Sequence, residues 1–464
     1  MLLTQPARNV IMRILLVVDV YPPARTGGAT LYTVQLAEQL ARMGIAVHVV
    51  CAGTWEEGHA HFNGITEDVH NGVIVHRILL NWRKAPAPFD YLYDNKTLAP
   101  VLRDLLMQVR PDIVHVHSCL TLSARVIQEA KSLRIPVVLH LHQFWFMCAL
   151  QNLVYKDGRT CLGPESPWGC QSCVLDGTKA LRWSGKFLPA LVQEKLLSQA
   201  GRLSWVTRQP GLVGMLGDMA RRQSYLRDIL ASVDVAVAPA RSLIDLFARH
   251  GFRTDHMVYS LQGFDMAWAA DVQHHPSSHI RFGYIGHIQQ IKGVHTLVDA
   301  FGRLPEGTPA ALFIYGDPMQ QPDYAQALRA RSVASVHWSG PFARCQLASM
   351  LSELDVVVVP SLSFEVNPTV IKEAFAAGVP VIVSDQPGVC ETVEHGVCGL
   401  HFRTADADDL ARQIACIVEN PELLHQLRQS IPAVKTINEN AQEMMIIYGQ
   451  LIYGYNHDNN PVSL

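Results

Sequence analysis

The stretch Val356-Val357-Val358-Val359-Pro360-Ser361-Leu362-Ser363-Phe364-Glu365-Val366-Asn367-Pro368-Thr369-Val370-Ile371-Lys372-Glu373-Ala374-Phe375-Ala376-Ala377-Gly378-Val379-Pro380-Val381-Ile382-Val383-Ser384 decides the fold. Four valines stopped by Pro360 read as a short strand buried on both faces, because neither alternate set of side chains is polar. A polar loop follows, and Pro368 then opens a helix over Thr369–Ala377, which Gly378 and Pro380 end. A second apolar strand, Val379–Ser384, comes next. Two buried strands joined by a helix must pair in parallel through a crossover, the unit of an open α/β sheet.

The same alternation extends in both directions. Upstream strands are expected at Arg13–Asp19, Ile45–Cys51, Ile113–His117, Ile135–His140 and Val233–Ala238, and later ones at Ile280–Ile285, Ala310–Tyr315 and Ser335–Trp338. Helical patterns fall between them, as in Leu31–Met43, Val294–Phe301 and Ala407–Val418. The pattern pauses at the polar run Gln273–Ser278 and restarts, which marks a linker. The expected architecture is α/β, with two Rossmann-like, doubly wound parallel-sheet domains facing a cleft. The expected first domain spans 1–272, with an insertion over about 145–230; the second spans 273–435, and a terminal helical segment, 436–464, packs back on the first.

At 464 residues the chain is too long for one core. A net charge of −3 gives no electrostatic case for nucleic acid, and no run of apolar residues is long enough to span a bilayer. The N-terminus lacks the pattern of a secretory signal, so a soluble, cytoplasmic protein with reduced cysteines is expected. Residues 176–230 hold nine Lys/Arg against four Asp/Glu, interleaved with Trp183, Phe187 and Trp205. That pattern fits a peripheral contact with anionic lipid at the inner face of the membrane, or a solvated helical face on the first domain.

Three features bear on chemistry. The loop after the first strand ends in Gly27-Gly28 and opens a helix, so backbone N–H groups can meet an anion there, or the glycines serve a tight turn alone. Glu365 and Glu373 lie in the loop and the helix after the strand Val356–Pro360. Two carboxylates so placed can accept from hydroxyls on two parts of one polyol ligand; alternatively, Glu373 is a surface residue and Glu365 a cap partner. Cys148, Cys161, Cys170 and Cys173 offer four thiols, the last two as C-x2-C, among turn-forming residues. They suit a structural zinc, with an iron–sulfur cluster or metal-free redox-active thiols as alternatives.

The ordered set Glu365-x7-Glu373-Ala374, Gly378-Val379-Pro380-Val381, Gly388, Glu391, Gly399-Leu400, Gly286, Lys292-Gly293 and Pro111–His117 resembles glycosyltransferase family 4, retaining transferases of the GT-B fold. The resemblance implies transfer of a sugar from a nucleotide-sugar donor to a polysaccharide, lipid-linked or other cell-envelope acceptor, with no catalytic metal. It implies that Glu373 holds the ribose hydroxyls, Glu365 those of the donor sugar, and Lys292 the leaving phosphate. Backbone groups around Asn367, Pro368 and Thr369, with Gly27, Gly28 and Gly286, would approach the diphosphate, and His142 would lie beneath the donor sugar. A subset of the family has a similar Cys-containing loop. Two positions depart from the pattern: His287 stands where an Arg is common after the glycine, and Gln143 where an Asp often follows the histidine. The alternative is a GT-B nucleotide-sugar epimerase or a non-catalytic binding protein.

Overall fold

The computed structural model describes residues 12–24, 27–155, 160–164, 167–175 and 219–454. The part of the expected basic insertion before residue 219 therefore lies outside the described residues. Of its basic side chains that are described, Arg222 is buried and donates to the Trp145 carbonyl, Arg221 pairs with Asp90 and Asp94, and Arg227 donates to the His250 carbonyl. Among the described residues no helix is long and apolar enough to cross a membrane.

The first sheet has eight strands: β1 (Arg13–Val17), β2 (Ala46–Thr54), β3 (Phe62–His70), β4 (Val73–Leu80), β5 (Ile113–Val116), β6 (Val137–His140), β7 (Val235–Ala238) and β8 (Met257–Tyr259). Their order is β3-β4-β2-β1-β5-β6-β7-β8. The second sheet has six: β9 (Ile280–Ile285), β10 (Ala310–Tyr315), β11 (Val336–Gly340), β12 (Val356–Val359), β13 (Val381–Ser384) and β14 (Gly399–Phe402), in the order β11-β10-β9-β12-β13-β14. All pairings in the second sheet are parallel. The register Val357↔Val381 and Val358↔Ile382 joins the two strands of the deciding stretch.

The first sheet corrects the expectation of parallel strands throughout. β3 and β4 form an antiparallel hairpin on its edge. Asn71 and Gly72 sit in the turn at φ 48° and 82°, which matches the right-handed twist of the flanking strands. β3 leaves Thr66–Val69 exposed, so it lacks the apolar continuity of a covered strand.

Helices cover both sheets. On one face of the first sheet, Tyr32, Leu36 and Leu40 of helix Gly28–Arg42 pack with Ala441, Met444 and Tyr448 of the last helix, Ile437–Tyr453. Thr436 and Glu439 close the start of that last helix with a reciprocal capping box. Each large side chain buried this way contributes on the order of 1.5–3 kcal/mol. On the other face, Phe364 and Val366, from the loop after β12, join the first domain's core beside Phe144 and Trp145. Phe144 and Phe364 meet edge to face at 5.2 Å, so the two domains share apolar packing at the cleft.

Candidate active site

The order of each sheet reverses direction beside its first strand, and ligands of open α/β sheets bind at the carboxyl ends of strands at such a point. Here the two carboxyl edges face one cleft of about 860 Å³. Gly27, Gly28 and His142 line it from the first domain, and Gly286, His287, Lys292, Glu365, Asn367, Pro368, Thr369 and Glu373 from the second.

Glu365 is set by the turn from β12 into helix Thr369–Ala376. Lys292 Nζ donates to Glu365 Oε1 at 2.5 Å, and Ser361 Oγ donates to the same oxygen at 2.6 Å. Burial alone would raise the Glu365 carboxyl. The Lys292 charge and hydrogen bonds from Lys292, Ser361 and Ser363 outweigh burial and hold it below the ordinary carboxylate range. Lys292 owes its direction to Gly293, which adopts φ 69° and whose added Cβ would lie 1.9 Å from the Pro360 carbonyl oxygen. No side chain but hydrogen fits there, so the turn stays pressed on the end of β12.

Glu373, one turn into the helix, is buried and accepts from Arg344 Nη1 at 2.7 Å. Arg344 follows β11 and also lines the cleft. Nothing in the sequence pattern singled it out, since it stands in a loop without a motif. His287 is held below its ordinary pKa by burial first and the Lys292 charge second, so it is neutral beside the cleft.

Helices Gly28–Arg42 and Thr369–Ala376 both start at the cleft, and neither has a side-chain cap. A Cβ on Gly28 would stand 3.1 Å from Thr369 Oγ1, so the two helix starts nearly touch across the gap. Their partial positive ends both face the gap, an arrangement that suits an anion. The domains are tied further by Glu391, which accepts from the backbone N–H of Arg241 at 2.7 Å and of Ser242 at 2.5 Å, at the start of helix Arg241–Arg249.

His142 lines the cleft, but its ring nitrogens turn inward: Nδ1 lies 2.8 Å from Gln262 Nε2, and Nε2 lies 3.0 Å from His117 Nδ1. Burial lowers its pKa to about 3, so the ring is neutral. The pairs His115/His117 and His140/His142 lie two apart on or just past neighbouring strands. That spacing puts all four on one sheet face, a signal that sequence reasoning left unused.

The cysteines correct an expectation. Tetrahedral zinc with Zn–S bonds of about 2.3 Å draws its sulfurs to about 3.8 Å of one another. Among the described residues, no three of Cys148, Cys161, Cys170 and Cys173 bring their Sγ atoms within 4.8 Å of each other. Burial first, then the neighbouring Cys148, Cys173 and Cys161, pushes the Cys170 thiol up to about 12. Cys170 Sγ instead lies 3.6 Å from Gln223 Nε2, and Cys161 Sγ donates to the Gly163 carbonyl at 3.4 Å. As placed, these thiols do not converge on a single zinc. The loop meets the second domain instead, where Thr160 Oγ1 donates to the Leu362 carbonyl at 3.3 Å.

Residues 270–433 match the family model for glycosyl transferases group 1, and residues 26–167 match that for Glycosyltransferase Family 4. Together the two matches span roughly two thirds of the chain. The chain belongs to glycosyltransferase family 4. A D-inositol 3-phosphate glycosyltransferase of Nocardiopsis dassonvillei is 25% identical over 88% of this chain and 85% of its own. A glycogen synthase of Mycobacterium tuberculosis is 31% identical over 30% of this chain, and the match covers about a third of that relative, 34%. Among solved structures, sucrose-phosphate synthase from Thermosynechococcus elongatus is similar over 96% of this family 4 chain and 100% of its own, with a TM-score of 0.65 at 18% identity. Anabaena HepE in complex with UDP and glucose covers 94% and is itself covered to 99%, with a TM-score of 0.61 at 16% identity. These likenesses show the GT-B fold, two α/β domains about a cleft.

Proposed function

We propose that the protein moves a sugar from a nucleotide-sugar donor to a glycan or lipid-linked acceptor, with retention at the anomeric carbon. The observation that supports this best is the pair of held carboxylates, Glu365 with Lys292 and Glu373 with Arg344, flanking a helix start in one cleft. Glu373, fixed by Arg344, accepts from the ribose hydroxyls. The two uncapped helix starts take the diphosphate. Glu365 accepts from hydroxyls of the donor sugar, and Lys292 stabilises charge as it grows on the leaving phosphate, where donors placed beforehand lower the barrier most.

The bound UDP and glucose of the Anabaena relative make a uridine nucleotide the first donor to try. A Campylobacter jejuni transferase named for a diphospho-undecaprenol-linked sugar, 28% identical over 35% of this chain and 42% of its own, makes a lipid-linked acceptor the first acceptor to try. Purified protein incubated with UDP-sugars and a polyprenyl-diphosphate glycan should release UDP and yield a product that keeps the donor's anomeric configuration by proton NMR. Stable donor with every nucleotide-sugar offered, or an inverted product, would sink the proposal.

A further inference from the structure

Gln262 is buried at the floor of the cleft, between the histidines of the first domain and the loop after β12 in the second. It belongs to a run of hydrogen bonds whose direction is fixed at one end. Lys372, buried in helix Thr369–Ala376 with its pKa lowered by burial to about 7, donates from Nζ to Asn367 Oδ1. Asn367 therefore turns Nδ2 to Gln262, donating to Oε1 at 2.9 Å. That leaves Gln262 Nε2, with two N–H groups, for two ring nitrogens: His142 Nδ1 at 2.8 Å and His140 Nε2 at 3.2 Å. Both nitrogens must then bear lone pairs. A neutral His142 has its proton on Nε2, which points at His117 Nδ1 3.0 Å away.

We infer that Gln262 is a positioning residue: its amide, oriented across the cleft by Asn367 and Lys372, fixes His142 as the neutral Nε2–H tautomer with both ring nitrogens engaged. His142 then has no free lone pair with which to take a proton from an acceptor, and it serves as a fixed wall under the donor. Lys372 and Asn367 belong to one domain and Gln262 and His142 to the other, so closure of the cleft sets the tautomer. Separation would free the amide to turn over. The surroundings keep the ring from shifting: it stacks on His140 at 4.5 Å and 11°, with Tyr32 at 5.4 Å. The tautomer does not depend on what the enzyme transfers; its effect on turnover rests on the function proposed above.

The test reverses the run from the far side. Asn367→Asp still accepts from Lys372 but has no N–H for Gln262, so Gln262 should turn its amide over and face His142 with Oε1. The His142 proton then moves to Nδ1. Long-range nitrogen–proton NMR of histidine side chains in the full chain reads this directly, with the His142 signals assigned by their loss in His142→Gln. Wild type should show a bare Nδ1 and Asn367→Asp a protonated one. Gln262→Met, of similar volume but without hydrogen bonds, should show both forms and guards against one variant failing to fold. A protonated Nδ1 in wild type, or one tautomer in all three proteins, overturns the inference. With UDP-glucose as probe, Gln262→Met should lower kcat at least tenfold with KM changed less than threefold, and unchanged kcat with the expected spectra overturns the positioning role. If wild type releases no UDP, the proposed function is what fails, and the spectra still decide the tautomer.

Discussion

Replacing Lys292 by alanine removes the cation beside Glu365 and should cost both rate and stability, in amounts that pH separates. Loss of a donor placed for developing negative charge typically costs about 3–4 kcal/mol, or roughly two to three orders of magnitude in kcat. For stability, breaking a fully buried ion pair costs about 3–5 kcal/mol. The Lys292 side chain keeps 34% of its exposure, and the Ser361 hydrogen bond remains, so about 1–3 kcal/mol is expected here. In the wild type, the folded pKa of Glu365 lies below its unfolded value. Its contribution is therefore present above the unfolded value of 4.5 and lost as pH falls through the folded one. In Lys292→Ala, burial is left less opposed and raises the folded pKa, so ionised Glu365 costs stability at neutral pH and the cost vanishes on protonation. Thermal denaturation of both proteins at pH 8 and near pH 4 should show a gap of about 2–4 °C per kcal/mol at pH 8 that narrows in acid. The double variant Lys292→Ala/Glu365→Gln should regain stability but not UDP release. An equal gap at both pH values, or a double variant as unstable as the single, would refute the reasoning.

Glu373→Gln and Arg344→Ala should each raise the donor KM about tenfold or more, since a hydrogen bond to a charged group is worth about 1.5–3 kcal/mol; unequal effects would show that Arg344 does not act through Glu373. Glu365→Gln should instead lower kcat with a smaller change in KM, because charge develops at the donor sugar. His287→Arg should keep or raise UDP release by adding a fixed cation near the diphosphate, and complete loss would assign His287 a role of its own. Gly28→Val should crowd Thr369 and weaken donor binding by equilibrium titration, while helix Gly28–Arg42 and the overall circular dichroism stay unchanged.

Much of the second sheet could be read from the sequence because its central strands, β9, β12 and β13, are covered on both faces and so are largely apolar. β3, β4, β8 and β14 could not be read this way. β3 is mostly polar and owes its place to the Asn71-Gly72 turn, and β14 (Gly399-Leu400-His401-Phe402) is short and opens on glycine. Glu365 and Glu373 stood out because a strand end and a helix start fix them locally, and Lys292 through the resemblance to family 4. Arg344 and Gln262 did not, since each reaches the cleft through contacts far away in sequence, with Glu373 and with Asn367. The cysteine spacing suggested an ion, but spacing says nothing of whether side chains converge.

The last helix has a consequence for how the chain is made. Ile437, Ala441, Met444 and Tyr448 fill the first domain's core against Tyr32 and Leu36, and Tyr448 OH reaches His115 Nδ1 at 2.6 Å. That core cannot close on the ribosome until the whole second domain has been synthesised, which at roughly 5–20 residues per second leaves it open for on the order of ten to thirty seconds. During that interval the nascent first domain presents an apolar groove the shape of a helix, and a chain cut short before Thr436 would present it permanently.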